Sequence, residues 1–592
     1  MSTSTPVMPA TTAGVTARLL RGATDGVVPP GAVRDVRLTA DWAGPVTAPL
    51  ADEDAVQAAC GIMHVHGRAG GRPLPLGVDY AATAAGVLGA LGVCAVLLAR
   101  HRGHGLSEVR TSAAQGALLA LGQYLAAATA PADGAEGPYG AKGRHGAEGP
   151  YGAEPAGRGG ATLVSAEGTA FEIETLDPDA WREFWQRLGV PARLAGRGWG
   201  AFQQRFATAV CALPDEVRTA ARATPLGSLR EAAASCGVSL VPLTDSPAPV
   251  LSVAPVRLTP GPPYVPVPAP VRTPAVLPLA GVRVVESTRR VQGPLAGHVL
   301  RLLGAEVIGV EPPGGDPMRG LPPLAGGCSV RHSALNSGKR VVEADPRTAA
   351  GHAAVRELVA GADVFLHNWA PGRAERLGLD AEDLWRVRPG LVHAGASGFG
   401  DAWPPGETPI GTDYLAQARS GLAAALRPAG EIPAPSLMTL TDVLGGLLCA
   451  HAVVAGLLLG ALRGHGVRAE SSLLSAAGLV PRPAVRRGAR SPLETPVRTA
   501  DGYLCLGERI RADLPLLARI TGLGAPDPSA VAARFGHRTT GWWLERLGLA
   551  GAAATEVRTD LGTLPDDPGF RYAVDPAPPG GYATVRSPWT FS

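Results

Sequence analysis

Lysine is almost missing from this chain. It occurs only at Lys142 and Lys339, so nearly all the positive charge is arginine. With so much Ala, Gly and Pro, that pattern marks compositional bias, not anion binding. Charge is scarce as well: charged residues make up 18% and the net charge is +3, which gives no electrostatic case for nucleic acid or an anionic membrane as a partner. Aromatic residues are only 5%, yet apolar residues reach 46%, a globular rather than a disordered composition. Cysteine is sparse and scattered (Cys60, Cys94, Cys211, Cys236, Cys328, Cys449, Cys505), with no CxxC pair and no Cys/His cluster at metal spacing. No metal site is expected, and reduced thiols predict a cytoplasmic protein. The start MSTSTPVMPATTAG lacks a basic segment followed by an apolar run, so no signal peptide is expected.

Long apolar runs are present, at 81–99 and 443–462. Their length would allow a membrane span. Their Ala and Gly content, with His451 inside the second, favours buried core helices, and neither has an aromatic belt or a positive-inside pattern.

The chain repeats itself. Val56-Gln57-Ala58-Ala59-Cys60-Gly61-Ile62 parallels Ala416-Gln417-Ala418-Arg419-Ser420-Gly421-Leu422, and a long apolar helix follows each. Both helices end in RGHG, at 102–105 and 463–466. Further on, 166–173 parallels 500–506, and 229–246 parallels 544–561. Residues from about 40 to 255 therefore read as a truncated copy of the unit at 279–592, without its opening LAGVRVVESTRRVQGP. Counting back from RGHG sets Ala81 opposite Asp442; a two-residue slip sets Asp79 there. Eight regions follow from this reading. Residues 1–40 are disordered or irregular, and 41–130 form a truncated helical segment. A low-complexity linker with AEGPYGA twice fills 131–160, and a first small domain covers 161–255. A proline-rich, extended spacer spans 256–278. A large domain spans 279–485, and a smaller α+β domain spans 490–565. The tail, 566–592, returns to the large domain.

In the large domain, strands are expected at 282–285, 306–310, 340–342, 363–367 and 391–394, alternating with helices at 295–303 and 349–360. That predicts an α/β fold, a doubly wound parallel Rossmann-like sheet. Ligands in such sheets sit beyond the carboxyl ends of the strands, which selects the loops 290–293, 311–315, 367–372 and 397–400. Taken singly, each could equally be an ordinary turn.

The ordered set of VESTRRVQGPLAGHVLRLLGAEVIGVEPPGG, LNSGKR, HNWAPGRAERLGL, ASGFG and TDVLGGLL resembles the class III coenzyme A transferases, the CaiB/BaiF or formyl-CoA transferase family. The resemblance implies coenzyme A or an acyl-CoA as substrate, with no permanently bound cofactor. It makes Asp442 the catalytic carboxylate. It sets Lys339 and Arg340, with Asn336 and Gly338, against the nucleotide end of the coenzyme, where cations suit phosphate. Gln292, Asn368, Arg376 and Leu377 complete the binding set. The activity implied is coenzyme A exchange between a thioester and a carboxylic acid, through an aspartyl mixed anhydride and thioester. Asp442 at a helix start would be kept charged by the helix dipole, and Gly445 and Gly446 would let substrate near the backbone. Position alone equally fits an N-cap. Likewise Arg376 could merely pair with Asp380. Thr412 stands where the family's racemases carry a histidine, which disfavours racemisation. Three readings stay open: a transferase; an acyl-CoA isomerase, racemase or dehydratase; and a non-catalytic acyl-CoA-binding protein. The partners expected are small molecules, and the two copies imply a pseudo-dimer in cis or a homodimer.

Overall fold

The computed structural model describes residues 8–24, 30–131, 159–248, 253–265, 277–403, 408–524 and 527–592. Most of the low-complexity linker expected at 131–160 lies outside them. In the first copy the elements that matter are α1 (Ala10–Thr24), β1 (Arg37–Asp41), α2 (Glu53–Cys60), α3 (Tyr80–His101), β2 (Glu108–Ser112) and α4 (Ala113–Ala128), followed by β3 (Arg257–Pro263). The second copy opens with β4 (Arg283–Ser287), α5 (Gln292–Leu302), β5 (Glu306–Glu311), β6 (Arg340–Glu343), β7 (Val364–His367) and β8 (Val392–Ser397). It continues through α6 (Asp413–Ser420), α7 (Leu440–Arg463), β9 (His465–Ser472) and the closing strand β10 (Thr590–Phe591).

The fold is α/β, as the alternation of apolar runs predicted. A seven-stranded sheet runs β6-β5-β4-β7-β8-β9-β3. Every pair is parallel except β9 with β3, which is antiparallel. Strand order reverses between β4 and β7, the position where ligands of such sheets bind. The two long apolar helices, α3 and α7, pack on each other in the interior. Their most apolar windows are 100% and 94% buried, so the protein itself covers their apolar faces.

Matched contacts fix the repeat residue by residue. Gln57 accepts from the Leu76 amide, as Gln417 does from Ser436. Glu53 accepts from the amides of Ala81 and Ala82, as Asp413 does from Thr441 and Asp442. The counterpart of Asp442 is therefore Ala82, not Ala81 or Asp79. The second helix holds one more residue before the shared RGHG, which misplaces a count from that end.

Three regional expectations change. Residues 1–40 are not irregular throughout, since α1 packs along α3. A Cβ on Gly86 would lie 2.6 Å from Val15 and 3.0 Å from the Thr12 carbonyl, just as one on Gly446 would meet Leu295 and the Gln292 carbonyl. So α1 occupies the place that α5 fills in the second copy. Within the proline-rich stretch, 257–263 is an edge strand and not a free spacer; at a sheet edge, proline's missing N–H is tolerated. The tail returns to the first copy's sheet, β1-β2-β10, with Val109 opposite Phe591.

The last two changes are one device. Each copy's closing strand joins the other copy's sheet. The small domains cross over in the same way. Their sheets share one antiparallel order, Leu163–Val164, Ala170–Glu174, Ser239–Pro242 in the first and Val497–Arg498, Tyr503–Leu506, Ala554–Glu556 in the second. Gly421 of the second copy abuts the carbonyls of Ser246, Pro247 and Ala248, and Gly61 of the first abuts Leu561. Ser246 and Leu561 are the matched ends of the parallel segments 229–246 and 544–561.

Candidate active site

Helix α7 starts inside the protein, where its free amides need an acceptor. Its N-cap residue, Thr439, makes no side-chain cap bond. Asp413, at the start of α6, supplies the cap instead. Its carboxylate accepts from the Thr441 amide (2.5 Å), the Thr441 hydroxyl (2.7 Å), the Asp442 amide (2.9 Å) and the Gln417 amide side chain. Asp442 is thus relieved of capping, and its own carboxylate accepts no hydrogen bond among the described residues. It sits half-buried in the first turn of α7.

Burial raises the pKa of Asp442 well above the ordinary carboxylate value, and the charge on Asp413 raises it further. Arg290 opposes the rise, and Glu174 of the first copy adds to it. Asp413 is also pushed up by burial but has four donors holding it charged. Of the two, Asp442 is the one whose surroundings favour the protonated form. That reverses the sequence-based expectation of a charge stabilised by the helix dipole: desolvation and a neighbouring carboxylate outweigh it.

Arg290, in the loop after β4, links Asp442 to the cleft above β4, β5 and β6. Its backbone is left-handed, with φ of 67°, which is uncommon for a residue with a side chain. It lines a narrow cleft of about 20 Å³ together with Glu286, Thr288, Asp316, His332 and Lys339. Its guanidinium lies 5.9 Å from the ring of Phe206, which belongs to the first copy. Asn368 ties the two rim loops together, accepting from the Arg289 amide and donating to the Arg289 carbonyl at 3.0 and 2.8 Å.

The first copy supplies one wall. Glu174 and Arg205 form an ion pair at 2.7 Å with both side chains 3% exposed. Arg205 also sits 4.5 Å from the ring of Tyr414. Two buried tyrosines grip the lead-in to α7: Tyr414 donates to the Leu437 carbonyl at 3.3 Å, and Tyr80, from the first copy, donates to the Leu440 carbonyl at 3.1 Å.

The residues nominated from the sequence do not all fall together. Asn368 and Arg376 lie on one rim, where Arg289, Arg347, Arg373 and Arg376 crowd together. The pKa of Arg373 is lowered by burial and then by those like charges, a setting that suits phosphate. Leu377 packs half-buried beneath that rim, and Arg376 forms no pair with Asp380, which caps the helix Ala381–Trp385. Lys339 lines the cleft, but its ammonium is already committed, at 2.8 and 3.1 Å to Glu286, 2.8 Å to the Pro294 carbonyl and 2.9 Å to Asn336. Three N–H groups facing four acceptors leave none to reach a phosphate, so Lys339 braces the rim. Arg340 is exposed on the edge strand β6. Gln292 is buried at the start of α5 and bonds to the Ser397 carbonyl at 3.3 Å. Gly445 and Gly446 face Gln292 and Leu295, so they serve helix packing and not substrate approach. The sequence reading named neither Arg290, Asp413 nor Glu174 as a site residue. Arg290 left a signal, since it opens the loop 290–293 that the strand pattern sets at the ligand-bearing rim.

The chain is 33% identical over 270 residues to the succinate–glutarate CoA-transferase of Agrobacterium fabrum, a match covering 42% of this chain and 67% of that protein. It is 32% identical over 263 residues to the succinyl-CoA:glutarate CoA-transferase of Mus musculus, covering 42% and 60%. Among solved structures, a CaiB/BaiF family protein from Brucella suis is 26% identical over 53% of this chain and 92% of that chain, with a TM-score of 0.47. The chain thus spans about two thirds, or less, of the curated relatives it matches. The sequence profile of CoA-transferase family III matches residues 41–245 and again 279–573, most of the chain, and the protein therefore belongs to that family.

Proposed function

We propose that the protein transfers coenzyme A between an acyl-CoA and a carboxylic acid, with Asp442 as the covalent group. In the first step Asp442 gives up its proton to solvent, its carboxylate attacks the thioester carbonyl, the C–S bond breaks, and coenzyme A leaves as thiolate. The thiolate then attacks the Asp442 carbonyl of the mixed anhydride and releases the donor acid, leaving an aspartyl thioester. The acceptor carboxylate repeats the exchange in reverse order and restores Asp442. The observation that carries this reading is the freedom of Asp442: it opens α7, yet Asp413 does the capping. The arginine rim beside Asn368 would take the coenzyme's phosphates, and Phe206, Glu174 and Arg205 would border the acyl group. The names of the relatives make small dicarboxylic acids the first class to test, and the free thiols suit a cytoplasmic reaction.

The raised pKa of Asp442 favours one rival, proton transfer at the α-carbon of an acyl-CoA. The two separate cleanly. With a donor acyl-CoA and no acceptor, hydroxylamine should give a hydroxamate at Asp442, seen by mass spectrometry. Asp442→Ala should form none and lose at least about 10³-fold in rate while still binding coenzyme A. Deuterium wash-in at the α-carbon without any hydroxamate would sink the transferase reading and support the rival.

A further inference from the structure

A second cavity, of about 260 Å³, lies away from Asp442 on the seam between the copies. Helix α4 of the first copy, α5 of the second and the C-terminal segment enclose it. Leu119, Leu295, Leu335 and Val585 give it an apolar side, and polar residues line the rest. Two of those polar groups lack partners. His298 is 9% exposed, and its Nδ1 meets no hydrogen-bonding atom. The Arg301 guanidinium has no ion pair among the described residues, and its Nε is buried and unbonded. Burial alone lowers the pKa of Arg301, with no carboxylate to offset it. A half-buried cation and a buried imidazole nitrogen without partners cost free energy that an anion would recover. The one carboxylate at the rim, Asp575, is already paired with Arg586 at 2.8 Å.

We infer that this cavity binds a small carboxylic acid with an apolar body, its carboxylate on Arg301 and His298 and its body against the leucines. A single unpaired cation suits a monoanion better than a phosphate, and the apolar side rewards a hydrocarbon body. The imidazole is neutral, held down to about 3 by burial and by Lys339 and Arg301, so it can present one N–H to the carboxylate without adding charge.

The test is a ¹⁹F NMR titration of the full chain with 4-fluorobenzoate. Gly122 lines the cavity, and a Cβ there would meet only Val585, at 4.0 Å. Gly122→Leu should therefore fill the space, and Gly122→Ala should leave it open. Wild type and Gly122→Ala should bind the probe saturably, one per chain. Gly122→Leu and Arg301→Gln should each weaken binding about tenfold or more, and Arg301→Lys should restore part of it. Coenzyme A at saturation should leave the probe in place. Four results would overturn the proposal: no saturable binding to wild type, binding unchanged in both weakening variants, displacement by coenzyme A, or equal competition by inorganic phosphate.

Discussion

Gly421 offers a direct measure of how firmly the first copy's small domain is held against the second copy's catalytic region. Its φ is 81°, and a Cβ built there would lie 2.7 Å from the Ala248 carbonyl, 2.8 Å from that of Ser246 and 3.2 Å from that of Pro247. All three are backbone atoms, so none can swing aside. Gly430 has a similar φ of 92° but open space around its Cβ direction. Both should lose about 1–2 kcal/mol to the left-handed conformation when changed to Ala. Gly430→Ala should cost no more than that. Gly421→Ala adds an overpacking cost of about 1–3 kcal/mol, for a total of about 2–5 kcal/mol. Gly61→Ala, the matching change in the first copy, should fall between them, because its nearest neighbour is the Leu561 side chain, which can move. Urea denaturation of the three variants gives the order, and steady-state transfer assays add a second reading. Gly421→Ala should lower kcat by shifting the wall that carries Glu174 and Phe206, while Gly430→Ala should not. Equal destabilisation by Gly421→Ala and Gly430→Ala would show that the small domain does not rest on Gly421, and the composite site would fail with it.

Asp413→Asn removes the neighbouring charge that lifts Asp442, so the acid limb of kcat/KM should move to lower pH; a pH–rate profile checks this. Asp442→Asn should stabilise the fold increasingly as pH rises in thermal melts. A folded acid with a raised pKa binds more protons than its unfolded form, so its contribution is present below the ordinary value of 3.8 and lost as pH climbs through the raised one. Arg205→Met should cost about 3–5 kcal/mol in urea by stranding Glu174, and the added change Glu174→Leu should recover most of it.

The parallel half of the second copy could be read from the sequence because its signals are local. Apolar runs of strand length alternate with helical spacing, and the helix expected at 349–360 is Ala349–Ala360. What stayed hidden depends on distant partners. Glu286, which takes up Lys339, lies 53 residues before it, so a lone lysine looked free for phosphate. The left-handed backbone of Arg290 leaves no mark on its residue type. The strand at 257–263 owes its existence to β9, while its own composition argues for a spacer. α1 shares little with α5 beyond small and apolar residues and the matched Arg21 and Arg301, and it is recognised by what touches Gly86. Asp442 was visible through family resemblance, but the residue that frees it from capping was not, because an aspartate that caps another helix looks in sequence like one that caps its own.

The exchange of strands and small domains explains why the first copy can lack a nucleotide-binding half and still be kept. Ala82 offers no carboxylate where the second copy has Asp442, and Glu53 is fully engaged by Ala81, Ala82 and Gln57. Yet β3, which follows the first small domain, covers the edge of β9, and β10 covers the edge of β2. Phe206 and Glu174 border the one site that has a carboxylate, and Tyr80 holds the backbone that leads to it. Strands β4 to β7 of the second copy have no such duty toward the first. Their counterparts could be lost from the first copy with only α1 left to cover α3, because no edge or wall of the second copy depended on them. Loss of the first copy's remaining elements would instead bare the edge of β9 and open one side of the Asp442 site. One copy thus serves as the other's structural complement, and of the two matched positions only Asp442 carries a carboxylate.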